Sequence, residues 1–180
     1  LLITGEYLIL RGARGLALPT SRGQRLQIRS ESGAPAVVWE AYDHEGNRWF
    51  DASYGVQSLD VMMTSDMEKA LALQNLLRIA LNSNPELINK DRSNIVSSTL
   101  EFPMDWGLGS SSSLVTNVAM WSGTDPFALS ESTFGGSGYD VMVAAHGQPI
   151  VYERSDNRCT VSEVEFAPSF TSQLWFVHVG

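Results

Sequence analysis

Apolar and polar positions along the chain change their period more than once, and each change marks an element. Residues 1–10 are apolar except where Gly5-Glu6 interrupts them, and Leu16-Ala17-Leu18-Pro19 forms a second apolar run. Arg25-Leu26-Gln27-Ile28-Arg29 alternates with period two, as a strand with one covered face does. Residues 36–42 and 48–50 flank Asp43-His44-Glu45-Gly46-Asn47, whose turn-forming composition predicts a hairpin. The first third is therefore expected to form a largely antiparallel sheet.

The middle of the chain switches to a helical period. Ser65-Asp66-Met67-Glu68 has capping-box spacing, with Ser65 as N-cap and Glu68 reaching back. Leu71, Leu73, Leu76, Leu77, Ala80 and Leu81 then place an apolar face on a core-packing helix. Residues 95–102 return to strand character, ended by Pro103. A glycine-serine loop follows, then an apolar segment over 114–121 that predicts a second helix. Pro126, with Asp125 or Thr124 as its cap, opens a short helix. Residues 141–145 predict another, closed by His146-Gly147. Three more strands are expected at 150–152, 161–166 and 174–179. The fold class implied is α+β, a mostly antiparallel sheet packed with helices and containing βαβ elements. Internal repeats, low-complexity tracts and linkers are not seen.

Composition narrows the function classes. The 180 residues carry a formal net charge of -8, which opposes nonspecific binding to nucleic acid or an anionic membrane. An anionic substrate would need a local positive site. Cys159 is the only cysteine, so there is no disulfide framework, and a reduced, cytoplasmic setting is the default. His44, His146 and His178 have no mutual spacing that suggests a metal; turn, helix end and strand are their expected places. Trp39, Trp121 and Trp175 are expected in the core, and Trp106 could border a nucleotide base. No apolar stretch approaches a membrane span. Both ends of the chain read as cut strands, so a fragment of a longer soluble protein is expected. Oligomeric state is left open.

Candidate chemistry concentrates in three places. Gly107-Leu108-Gly109-Ser110-Ser111-Ser112-Ser113 joins a strand to a helix. Its glycines let consecutive N–H groups turn toward an anion, the following helix adds free donors, and the serine hydroxyls can bind phosphate oxygens or Mg²⁺. A serine-rich turn without a ligand has the same composition. No lysine follows the second glycine, so the loop is not a Walker A motif. Asp140, after Phe134-Gly135-Gly136-Ser137-Gly138-Tyr139, sits where a helix begins. It reads either as a cap or as a carboxylate brought close to a substrate hydroxyl, whose proton it can accept. Gly5-Glu6-Tyr7 is the third place.

These strings together resemble the GHMP kinase superfamily, which includes galactokinase, homoserine kinase, mevalonate kinase and phosphomevalonate kinase. Gly107 to Ser113, with Pro103 upstream, is similar to that family's GLGSSAA motif. The resemblance implies that Gly107, Leu108, Gly109, Ser110, Ser111 and Ser112 hold the phosphates of ATP. Its second serine falls on Ser111, a Mg²⁺ ligand in the mevalonate kinase branch, while Ser112 and Ser113 keep the small character of the last two positions. FGGSGYDVM, from Phe134 to Met142, looks like the subgroup named for its GYDIA string, and this implies Asp140 as catalytic base with Ser137 and Gly138 at the substrate. Gly5-Glu6-Tyr7 followed by Leu16-Ala17-Leu18-Pro19 is similar to the first family motif and makes Glu6 and Tyr7 substrate-site candidates; a strand edge with Glu6 paired to an arginine is the alternative. Glu131 lies near the place of a second metal carboxylate, out of register, and a solvent-facing helix position is expected for it. The lysine that family members carry upstream of the first motif is not in this sequence. The resemblance further implies an ATP-binding amino-terminal domain over residues 1–170, with 171–180 opening a largely missing carboxy-terminal domain. It implies a Mg²⁺-ATP-dependent kinase acting on a small-molecule hydroxyl, with a mevalonate-like acceptor favoured. A phosphomevalonate kinase, a diphosphomevalonate decarboxylase-like enzyme and a non-catalytic ligand-binding protein of the same fold are the alternatives.

Overall fold

The alternation at residues 36–42 organises the larger sheet. The structure, a computed structural model, describes residues 1–155 and 158–178. Strand β3 (Ala36–Tyr42) buries Val37, Trp39 and Ala41 on one face. Strand β4 (Arg48–Gly55) buries Phe50, Ala52 and Tyr54 on the same side. The two pair antiparallel through the expected turn, whose Asp43 carboxylate accepts from the backbone N–H groups of Glu45 and Asn47. Strand β5 (Val61–Thr64), not anticipated from the sequence, adds an edge beside β4. Strand β2 (Gln24–Glu31) lies at the other edge and pairs antiparallel with β6 (Ser93–Leu100). The order is β2-β6-β3-β4-β5, antiparallel throughout except for the parallel β3–β6 pair. That parallel pair needs a crossover, which is made by β4, β5 and helix α1 (Met67–Ser83).

Helix α1 begins one residue later than the capping-box reading placed it. Asp66 is the N-cap and its carboxylate accepts from the Lys69 N–H at 3.1 Å. Ser65 is occupied elsewhere, its hydroxyl accepting from the Asp51 N–H across the strand edge. The buried face is Ala70, Leu73, Gln74, Leu76, Leu77 and Ala80, whereas Leu71 points outward and is exposed. Gln74 is tolerated in this face because its amide donates to the Leu59 carbonyl at 2.6 Å.

Three further helices contribute side chains to the same core: α2 (Ser110–Ser122), α3 (Pro126–Thr133) and α4 (Tyr139–His146). Asp125 caps α3 by accepting from the Ala128 N–H at 2.7 Å. The larger core gathers Trp39, Tyr54, Leu76, Val115 and Leu129, each fully buried and each worth roughly 1.5–3 kcal/mol of apolar burial. A smaller antiparallel sheet, β1-β7-β8, is built from β1 (Gly15–Ala17), β7 (Ile150–Ser155) and β8 (Arg158–Glu163). Its core contains Ile9, Phe127, Val143, Ile150 and Tyr152. Helix α4 belongs to both cores, giving Val141 to the first and Val143 to the second.

Several expected strands differ. Within residues 1–10 only Leu2 makes a β-bridge, to Ala17, and Leu8–Arg11 is a 3-10 turn started by Tyr7 at φ 59°. Gly5, at φ 89°, reverses the chain there, so the apolar run cannot extend into one strand. The strand expected at 161–166 lies earlier, as β8, because its register pairs Glu163 with Ile150 and Arg158 with Ser155. Residues 174–178 are not a strand: among the described residues no neighbouring strand offers them a hydrogen-bond ladder, and Trp175 is 85% exposed rather than in the core. His178 correspondingly contacts the Asp105 carbonyl instead of a sheet. Val179, the last residue of that expected strand, lies outside the described residues.

Candidate functional site

The glycine-serine loop is built by a sharp change of direction after β6. Phe102 is buried and fixes the end of the strand, Met104–Trp106 makes one 3-10 turn, and Gly107 and Gly109 take φ of 65° and 78°. These left-handed angles strain a residue with a side chain, so both positions favour glycine. Helix α2 then starts directly at Ser110, with no side chain capping it. Its first N–H groups and the positive end of its dipole are left to an external acceptor. The helix is tied to β2: the Asn117 amide donates to the Gln24 carbonyl at 2.7 Å, and the Ser113 hydroxyl donates to the Gln24 side chain at 2.9 Å.

Asp140 arrives from the other side, in the first turn of α4. One carboxylate oxygen accepts from the Ser112 hydroxyl, and the other from the Val141 N–H at 3.0 Å. Thr116 strengthens the junction, its hydroxyl lying 2.9 Å from the Ser112 carbonyl and 3.2 Å from that of Val141. The loop before Asp140 turns through Gly135, Gly136 and Gly138, all at positive φ. Gly138 is packed under Phe127, where a Cβ would come within 2.8 Å of the ring. Tyr152 donates its hydroxyl to the Ser137 carbonyl, and Arg154 donates to that of Gly136.

A cleft of about 640 Å³ opens between these two loops and the segment after β1. Gly107, Leu108, Gly109, Ser112, Asp140 and Glu6 all line it. Ser110, Ser111, Tyr7, Ser137 and Gly138 do not. Ser111 is exposed at the start of α2, and among the described residues its side chain makes no hydrogen bond. Tyr7 is 83% exposed. Glu6 has no ion-pair partner among the described residues, so the arginine pairing considered for it is absent there. Trp106 stands outside the cleft and packs on Phe176, ring centroids 5.8 Å apart.

Electrostatically the cleft joins two carboxylates, Glu6 and Asp140, to one arginine. Arg22 is the single Lys or Arg side chain among the described lining residues. Its guanidinium is anchored by donating to the Glu101 carbonyl at 2.9 Å, and the Glu101 carboxylate in turn accepts from the Gly23 N–H at 3.0 Å. Burial pushes the Tyr139 hydroxyl up, and the neighbouring Asp140 and Glu6 carboxylates add to the shift. Sequence reasoning missed Arg22, although Thr20-Ser21-Arg22-Gly23 directly follows the Leu-Ala-x-Pro string. It also missed Arg154, whose partners lie 18 and 23 residues away and leave no local signature. Glu131 is not solvent-facing, as expected for it, but half-buried in a two-point pair with Arg154 at 2.7 and 3.0 Å. Among the described residues no group of three His, Cys, Asp or Glu side chains is arranged to hold a metal ion.

No family model matches the sequence, and no curated protein matches it. Solved structures do match. Mevalonate kinase from L. major, in complex with R-mevalonate, superposes with a TM-score of 0.64 at 14% identity, over 93% of this chain and 50% of that one. Mevalonate kinase from Methanococcus jannaschii gives 0.61 at 10% identity, over 92% and 53%. A Campylobacter jejuni protein described as a sugar kinase gives 0.59 at 14% identity, over 89% and 50%. The chain thus spans about half the length of the structures it matches. The fold is that of the amino-terminal domain of GHMP-type kinases.

Proposed function

We propose that the protein is an ATP- and Mg²⁺-dependent kinase that transfers the γ-phosphoryl group to the hydroxyl of a small molecule, with a mevalonate-like acceptor favoured. The observation that carries this reading is the meeting of Ser112 and Asp140. It joins an uncapped helix start suited to phosphates to a carboxylate suited to accepting a proton, at the wall of one cleft. Residues 1–170 are the ATP-binding domain in this reading, and 171–180 lead into a second domain. The setting proposed is cytoplasmic; among the described residues no helix is long and apolar enough to cross a membrane.

The residues present fit a nucleotide. Gly107, Leu108 and Gly109 turn the backbone beside the cleft, and the N–H groups of Ser110, Ser111 and Ser112 at the start of α2 have no side-chain cap to satisfy them. For Mg²⁺ the fit is narrower. Ser111 offers an unengaged hydroxyl, while Glu131 is held by Arg154 and does not join it. Magnesium is commonly held by one or two protein groups together with substrate phosphates and water, and Ser111 would be that protein group. When bound, the ion neutralises phosphate charge.

The chain's own residues would divide the remaining work. Asp140 accepts the proton of the attacking hydroxyl, and Ser112 holds the carboxylate in the orientation that faces the cleft. Arg22 faces an anionic group of the acceptor or the transferred phosphoryl, and Glu6 lines the acceptor end. Catalysis of this kind rests on placement and charge more than on covalent chemistry.

The test uses the full-length protein. ADP release would be followed with Mg²⁺, ATP and a panel of mevalonate, phosphomevalonate, homoserine and sugars, beside Asp140→Ala. Turnover of one acceptor that falls by about 10²–10⁴-fold in the variant, with ATP binding retained, is expected. Absence of ATP binding by the wild-type protein would remove the phosphate-loop assignment and the proposal with it.

A further inference from the structure

We infer that Arg154 is a positioning residue for Asp140, acting through the glycine-rich loop that precedes it. The inference rests on the kinase reading only for its kinetic consequence; the structural part stands alone. Residues 134–138 are intrinsically loose, since Gly135, Gly136 and Gly138 all sit at positive φ and glycine has the widest backbone freedom. A loop of this kind places the next helix precisely only if something outside it fixes its backbone. Strand β7 does so at two consecutive carbonyls. The Arg154 guanidinium donates to Gly136 and the Tyr152 hydroxyl donates to Ser137.

Arg154 does more than close one hydrogen bond. Its two terminal nitrogens hold both Glu131 oxygens, at 3.0 and 2.7 Å, and its carbon lies 5.6 Å from the centre of the Phe127 ring. Phe127 in turn is the ring against which Gly138 packs. One planar cation therefore joins α3, the loop and β7, directly behind the helix start that carries Asp140. The Arg154 and Glu131 side chains are only 18% and 25% exposed, so solvent screens this pair far less than a surface one. A lysine can keep the charge but not the fork, the flat stacking face and the carbonyl contact together.

The role differs from ordinary stabilisation in where its loss is felt. Loosening the loop moves Asp140 relative to Ser112 and the cleft, while α2 and the ATP-facing glycines remain tied to β2 through Asn117 and Ser113. Chemistry should therefore suffer while nucleotide binding does not, since displacement of a reacting group by about 1 Å can cost on the order of 10²-fold in rate.

The experiment compares full-length wild type with Arg154→Met and Arg154→Lys. Hydrogen–deuterium exchange would be read on peptides covering residues 134–141 and on those of the larger sheet. Affinity would be read with a fluorescent ATP analogue, and turnover as ADP release with mevalonate. In Arg154→Met, exchange over 134–141 should quicken by at least ~10-fold while β2 and β6 keep wild-type protection. Its kcat should fall by roughly 10–100-fold, with analogue affinity within about threefold of wild type, and Arg154→Lys should lie between. Unchanged exchange in the loop of a folded variant would overturn the inference. So would an equal loss of protection across the whole sheet, or an unaltered kcat beside an active wild type. If wild type releases no ADP with mevalonate, that acceptor is lost to the kinase reading, and the exchange data still decide the role of Arg154.

Discussion

Ser112 donates its hydroxyl to Asp140 across the gap between α2 and α4, in a place where Ser112 itself is almost fully buried. The family motif that this loop resembles ends in small residues, and alanine there would have no hydroxyl to give. This chain therefore orients its candidate base with a donor from the same loop that would hold the phosphates. In Ser112→Ala the carboxylate loses a charge-assisted hydrogen bond, worth about 1.5–3 kcal/mol. A protein of this size should then melt about 3–12 °C lower, at the roughly 2–4 °C per kcal/mol that applies. Turnover should fall by about tenfold through loss of orientation. A melting curve and a rate assay check both, and wild-type values in each would remove Ser112 from the site.

Ser111 is the contrasting serine, exposed and without a side-chain partner among the described residues. If its hydroxyl supplies the protein's contact to Mg²⁺, Ser111→Ala should leave the fold intact, with a melting temperature within about 1 °C. The Mg²⁺ concentration for half-maximal rate should rise by roughly tenfold, the equivalent of about 1.4 kcal/mol for one lost contact. A magnesium titration at saturating ATP measures this directly. An unchanged midpoint would mean that Ser111 takes no part in holding the ion.

Gly138 offers a sharper structural test. Its φ is 76°, and a Cβ there would lie 2.8 Å from two carbons of the Phe127 ring and 3.3 Å from the Tyr152 hydroxyl. Gly138→Ala combines the left-handed penalty, about 1–2 kcal/mol, with overpacking against an aromatic ring, about 1–3 kcal/mol more. The expected outcome is a loss of several kcal/mol, read as a fall in denaturant midpoint with an unchanged slope. Gly46 is the control, since it has a similar φ of 85° with nothing within 4 Å of its Cβ position. Gly46→Ala should cost only the backbone part, and equal losses at the two sites would refute the packing argument.

Much of this arrangement was legible because it is local. The period-two run at 36–42, the hairpin composition after it, and Asp125 before Pro126 each specify their own element. Each of the three motif strings also puts some residues on the cleft wall, among them Glu6, Gly109 and Asp140, while Tyr7, Ser111 and Gly138 of the same strings lie off it. What sequence could not show is pairing across distance. Arg154 reaches Glu131 and Gly136 only because β7 returns beside α3, and nothing near Arg154 in the chain signals that. Ser65 looked like a cap because its spacing to Glu68 is right, yet Asp51 on β4 claims its hydroxyl and Asp66 takes over. The apolar residues 174–178 have strand composition, but a strand also requires a neighbour to bond with, and composition carries no information about one.

Two fully buried tyrosines should weaken the fold at alkaline pH. Tyr54 donates to the Ala70 carbonyl at 3.0 Å inside the larger core, and Tyr152 donates to the Ser137 carbonyl behind the glycine-rich loop. Both are fully buried, and burial raises both hydroxyls well above the ordinary tyrosine value near 10. A group that holds its proton more tightly when folded stabilises the fold fully below the unfolded pKa. That stability is lost as pH rises from about 10, where the unfolded chain ionises first and the folded one does not. Each such tyrosine contributes a slope of about 1.4 kcal/mol per pH unit, so the pair should give roughly 2.7 kcal/mol per unit above pH 10. Below pH 9 neither contributes any slope. Tyr152→Phe should remove half of the pair's alkaline slope while adding a fixed cost for the abandoned Ser137 carbonyl, about 1–3 kcal/mol at every pH. Denaturant unfolding between pH 8 and 11 separates the two effects, because the offset is present at pH 8 and the change of slope is not. A variant with the wild-type slope would show that Tyr152 ionises as easily in the folded protein as outside it.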